Sequence, residues 1–128
     1  MLATMFIVAA VFFAVAYMTY GQWLKKTFAL DPNKETPATC LYDGIDYCPT
    51  HPAVLMGHHF ASIAGAGPIV GPIAAASIFG WLPAYIWILI GSVFFGGVHD
   101  MGSLVASLRH KGLSVGEVVF EWIGPAAK

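Results

Sequence analysis

His58 and His59 stand side by side in a stretch with no Asp, Glu, Lys or Arg between Asp46 and Asp100, and His99 adjoins Asp100 at its far end. Imidazoles and a carboxylate in apolar surroundings are suited to a proton relay, a metal site or paired haem ligation, because they change charge or offer lone pairs near neutral pH. The same four residues also fit ordinary polar side chains at a membrane interface. Asp100 is the best single ionisable candidate, since it directly abuts an uncharged span.

The second chemical feature is backbone rather than side chain. Gly65, Gly67, Pro68, Gly71 and Pro72 follow the histidines within one apolar run. An interior proline removes a helical N–H and costs a helix roughly 3 kcal/mol. In hydrocarbon the freed carbonyl has no water to turn to, so a broken backbone survives only where protein or a wet cavity covers it. One reading is a discontinuous membrane helix whose amides and carbonyls meet an anionic substrate or a cation; the other is a kinked helix with glycines for packing. A nucleotide loop fits poorly. The Lys-Ser/Thr ending of a P-loop is missing, and the glycine spacing departs from G-x-G-x-x-G.

Other chemistries find no support. No Ser/His/Asp or Cys/His arrangement has an identifiable spacing, and no two carboxylates share an apolar pocket, so neither hydrolysis nor group transfer is indicated. Cys40 and Cys48 have seven residues between them, which matches no zinc or thioredoxin-type motif, and they read as two unpaired thiols. No resident metal or cofactor is expected.

The elements that must position these residues belong in a bilayer. Of 128 residues, 58% are hydrophobic and 10% charged, against about 25% charged in a soluble domain. Mean hydropathy is +0.72. The net charge of −1 gives no basic footprint for nucleic acid. Leu2 to Tyr20 is 19 residues without a charge, too long for a signal core and with no basic residue before it, so residues 2–20 form a retained first membrane helix. Tyr17, Tyr20 and Trp23 mark its far interface, and Lys25 and Lys26 place that end on the cytoplasmic side, with the N-terminus outside.

Residues 21–52 then read as a cytoplasmic loop with turns at Asp31-Pro32-Asn33 and Asp43-Gly44. Residues 53–80 form a second helix broken by Gly and Pro, with helix resuming over Ile73 to Phe79. At helical spacing Gly57, Ala61 and Gly65 make a small-residue stripe that admits a neighbouring helix closely. Gly80 to Pro83 is a tight turn outside. Residues 81–98 are a third helix, and Trp81 to Val98 spans ~27 Å at 1.5 Å per residue. Residues 99–128 form a cytoplasmic and interfacial segment: a short helix ended by Gly112, then a capping box at Ser114 to Glu117 opening an interfacial helix stopped by Gly124-Pro125. Arg109 and Lys111 agree in side with Lys25 and Lys26.

The fold class is therefore all-α integral membrane: about three transmembrane helices, the second broken, plus a short interfacial helix, in one membrane domain over residues 1–128. Three spans are a thin basis for a carrier, whose sites lie between repeats or bundles of helices.

Tyr42-Asp43-Gly44-Ile45-Asp46-Tyr47, Pro49-Thr50, the run from Gly57 to Pro72, His99-Asp100, and the pattern from Ser107 to Glu117 resemble, in this order, the carbon starvation protein A family. The resemblance covers essentially the whole chain, from the first helix to Gly124-Pro125. It implies a polytopic transporter of the cytoplasmic (inner) membrane, grouped with broken-helix, inverted-repeat carriers. Peptide uptake during carbon starvation, or proton-coupled pyruvate uptake, is the implied activity. It marks Gly57, His58, His59, Gly65, Gly67, Pro68, Gly71, Pro72 and Asp100 as family-motif positions, and all but Gly57 are candidates for a substrate or ion pathway. Family members are several times longer, so the implied partners are the lipid bilayer, remaining transporter spans or a partner polypeptide, and a small organic substrate. A reading from a different class is a small membrane-anchor subunit of a redox complex, its haem held by His58 or His59 and His99. A structural subunit without a ligand is a third.

Overall fold

The computed structural model describes residues 1–124, and every regular element among them is helical. Helix α1, Leu2–Thr27, is followed by a polar connection that contains the short α2, Pro37–Cys40. A bent pair comes next, α3 (Pro52–Ile63) and α4 (Ala66–Phe79), joined at 48°. The chain then turns at Gly80 into α5 (Trp81–Gly91), passes through a π-helical segment (Ser92–Gly96) and continues as α6 (Gly97–Arg109). Helix α7, Val115–Ile123, closes the described chain. By length and apolar composition α1 and the 29-residue helix Trp81–Arg109 are each able to cross a membrane, and α3 with α4 make a third if they form one span.

Helix α1 outlasts the expected end at Tyr20 by two turns. Gly21 costs a helix only about 1 kcal/mol, and Lys25 and Lys26 in the last turn meet the negative end of the helix dipole. A Schellman pair stops it: Ala29 N–H bonds the Lys26 carbonyl at 3.0 Å and Leu30 N–H the Lys25 carbonyl at 3.1 Å, with Ala29 at φ 47°.

Helix α3 starts from Pro52 at its first position, while the His51 ring accepts from the Ala53 N–H at 3.2 Å. It ends at Ala64, and Gly65 is extended at φ −76°, ψ −176°. Helix resumes at Ala66 rather than at Ile73. The physical reason is positional: Pro68 is the third residue of α4, where an N–H has no intrahelical partner to lose. Only Pro72 lies inside the helix, and it cannot donate to the Pro68 carbonyl. The break between the helices is thus confined to Ala64 and Gly65, and within α4 a single hydrogen-bond donor is missing, at Pro72.

The third span is also longer than expected. His99 and Asp100 do not end it but lie within the continuous helix to Arg109, about 43 Å long at 1.5 Å per residue. Since the hydrocarbon core is about 30 Å thick, part of this helix projects beyond it when the helix spans. The helix runs parallel to α1. The Tyr85 hydroxyl donates to the Met5 carbonyl at 2.6 Å, the Tyr20 and Phe94 rings lie 5.0 Å apart, and Arg109 donates to the Phe28 carbonyl. Leu24, Ala84, Val105 and Val118 are the buried hydrophobic residues among those described. None comes from α3 or α4, and a Cβ placed on Gly57 or Gly65 would meet nothing within 4 Å. The small-residue stripe packs on nothing in the described chain.

The turn after α6 and the capping box form as the sequence predicts. Ser114 Oγ accepts from the Glu117 N–H while the Glu117 carboxylate accepts from the Ser114 N–H at 3.1 Å. Gly124 caps α7 at φ 80°; Pro125, the other half of the expected stop, lies outside the described residues.

Candidate functional site

Helices α4 and α5 form an antiparallel hairpin because Gly80 takes φ +87°, a backbone state that costs glycine nothing. The hairpin lays Gly67, Pro68, Gly71, Pro72 and Ala75 opposite Ala84, Trp87, Ile88, Gly91 and Ser92, around a groove of about 750 Å³. That is the size of a small-molecule pocket, roughly 300–1,000 Å³.

Glycine makes the groove possible. A Cβ on Gly67 or Gly71 would point into open space, so the volume there is set by missing side chains. Across the groove Gly91 lies beneath the Trp87 indole, which would stand 3.4 Å from a Cβ at that position. Trp87 in turn sits 5.6 Å from the Phe95 ring, centroid to centroid.

The π-helical segment begins at Ser92, the last of the groove residues in chain order. There the Gly97 N–H reaches back five residues to the Ser92 carbonyl. Single π turns inside α-helices recur at functional sites because they shift the register of backbone bonding. The groove thus meets an irregular backbone on both walls: the proline-interrupted bonding of α4 and the π turn after α5. Among its lining residues only Ser92 and Trp87 carry polar side-chain atoms. Its lining holds no titratable side chain, so it can orient a polar solute but cannot neutralise a charged one.

The other expected residues lie elsewhere. His58 and His59 are exposed on α3, which contributes nothing to the groove lining. Gly65 forms the break itself. His99 and Asp100 make a local pair, Nδ1 to Oδ1 at 3.2 Å, on α6 beyond the π turn. Among the described residues no three His, Cys, Asp or Glu side chains come together as a metal site. Of the eight sequence candidates, then, the structure gathers Gly67, Pro68, Gly71 and Pro72.

The polar connection is more ordered than its composition suggests. Asp43 Oδ1 accepts from the N–H groups of Ile45, Asp46 and Tyr47, each at 2.9 Å, around Gly44 at φ +76°. These bonds, with that from Tyr47 foremost, hold the Asp43 carboxyl below its ordinary pKa of 3.8. The resulting loop docks on the turn after α6: the Tyr47 hydroxyl donates to the Lys111 carbonyl at 2.8 Å, and the Tyr47 ring lies 3.7 Å from a Cβ built on Gly112.

Long apolar helices, a bent helix pair and a groove between irregular backbones define a partial membrane-transporter fold. The family model described as carbon starvation protein CstA matches residues 2–128, and the chain belongs to that family. It is 50% identical over 116 residues to the peptide transporter CstA of Escherichia coli (strain K12), a match covering 90% of this chain and 16% of that one. To the peptide transporter CstA of Bacillus subtilis (strain 168) it is 48% identical over 125 residues, 97% of this chain and 21% of the relative. To the pyruvate/proton symporter BtsT of E. coli it is 47% identical over 114 residues, 88% and 16%. The chain therefore spans between a sixth and about a fifth of the length of these relatives. No solved structure matches it at a significant level. Neither structure nor relatives support the haem-anchor reading.

Proposed function

We propose that this chain is the N-terminal part of an ion-coupled secondary carrier for small organic nutrients of the peptide or pyruvate class, seated in the cytoplasmic membrane, and not an enzyme. The observation that carries this is the groove between α4 and α5, a glycine-lined space with the interior Pro72 on one wall and Ser92, where the π turn begins, on the other. The names of the relatives, peptide transporter and pyruvate/proton symporter, supply the substrate classes.

In this reading α1, the α3–α4 pair and the Trp81–Arg109 helix cross the bilayer three times. Lys25, Lys26, Arg109 and Lys111 lie on the cytoplasmic side. Gly67, Pro68, Gly71 and Pro72 form one wall of the solute pathway, Gly65 opens the helix next to it, and His58, His59 and Asp100, which lie outside the groove lining, supply ionisable groups elsewhere along the pathway. The unburied faces of α3 and α4 then receive the remaining spans of the carrier, or those of a partner polypeptide.

The test is uptake of labelled pyruvate and of a labelled dipeptide in cells without their own carriers. Expression with the missing spans restores uptake, and expression of the chain alone does not. Full uptake from the chain alone would remove the proposal that this is one part of a carrier.

A further inference from the structure

Helix α7 is tied to the end of α6 by a bond whose donor and acceptor are not interchangeable. The Trp122 indole Nε1 lies 3.0 Å from His110 Nε2, and the two rings stand edge to face at 6.1 Å. Indole N–H can only donate, so His110 Nε2 must be bare. The other ring nitrogen, Nδ1, lies 2.7 Å from the Ala106 carbonyl, which can only accept. Nδ1 therefore carries the proton, and the contact demands a neutral imidazole in one tautomer.

We propose that His110 and Trp122 form a proton-released latch that holds α7 against α6. In the imidazolium both nitrogens donate. Whichever way the ring is turned, nothing on it can then accept the Trp122 N–H. Val118, buried at 7% exposure, is a separate apolar tie, so acid loosens α7 without unfolding the rest.

The charged groups around the latch are mixed. Arg109 and Lys111 flank His110 on its own segment, and Lys25 and Lys26 end the neighbouring α1. Helix α7 offers Glu117, which is engaged with Ser114, and Glu121 beside Trp122. The connection brings Tyr47, Asp43 and Asp46 to the Lys111 side. A pairing of the imidazolium with Glu121 or Glu117 is a rearrangement that would keep α7 in place. On the topology proposed above the latch faces the cytoplasm, and acid there is the releasing signal; this placement rests on that topology, whereas the latch does not.

The experiment uses the chain in lipid nanodiscs with ¹⁵N-labelled tryptophan, titrated between about pH 8 and about pH 5, the span that brackets imidazole protonation. The Trp122 indole signal, assigned by its loss in Trp122→Phe, moves toward its unbonded position with the same midpoint as the His110 ring. Amide exchange in α7, normalised to intrinsic rates, rises roughly fivefold, the weight of about one hydrogen bond. His110→Gln, whose side-chain oxygen accepts at every pH, gives a flat titration. An indole signal that stays put while His110 titrates, an unchanged exchange rate in α7, or an equal response in His110→Gln would each overturn the latch.

Discussion

The Tyr47 hydroxyl donates to the Lys111 carbonyl across 64 residues of sequence, at 2.8 Å. This bond joins the loop after α1 to the turn after α6, and it acts where the backbone is left-handed, Lys111 and Gly112 having φ of 60° and 78°. With Arg109 donating to the Phe28 carbonyl, it ties together the same ends of two parallel helices. Replacing Tyr47 by Phe removes the bond and keeps the ring against Gly112. The expected loss is about 1 kcal/mol, read as faster amide exchange in residues 43–47 and 110–113 with the helices unchanged.

The same loop is sensitive to acid through Asp43. Its folded pKa lies below 3.8 because three backbone N–H groups bond the carboxylate. A depressed folded value means the unfolded state binds the proton more tightly. The contribution is thus fully present above 3.8 and is lost as pH falls through the lowered value. Exchange protection of the Ile45, Asp46 and Tyr47 amides is expected to fall over that acid window, and Asp43→Asn to abolish the dependence.

Pro72→Ala gives α4 a donor for the Pro68 carbonyl. The helix is expected to gain up to about 3 kcal/mol, measured as a higher thermal midpoint in lipid. In the completed carrier the same change is expected to lower uptake, since it regularises one wall of the groove.

Gly71→Leu separates folding from transport. Open space beside Gly71 accepts the new side chain, and helix propensity improves by about 1 kcal/mol. The secondary structure seen by circular dichroism should be unchanged, while uptake by the completed carrier falls to background because the leucine occupies the groove. Unchanged uptake would move the solute path away from α4.

What the sequence by itself determined is what depends on neighbours along the chain. The charge-free runs specify apolar helices, Lys25 and Lys26 supply the basic last turn of α1, and Ser114 with Glu117 makes its capping box, because hydropathy, end charges and caps act within a few residues. The Gly/Pro run announced an irregular backbone, but its place followed from hydrogen-bond position: Pro68 is harmless in a first turn, and Gly65 is not. Tertiary structure alone decided which of these residues meet. Gly67, Pro68, Gly71 and Pro72 share a groove because Gly80 reverses the chain, and they face Ser92 at a π turn whose trace in sequence is only the glycines at 91, 96 and 97. His58 and His99, similar in composition and setting, gain no common site, since no local rule brings α3 to α6. Which partner a side chain finds is a matter of packing between distant segments.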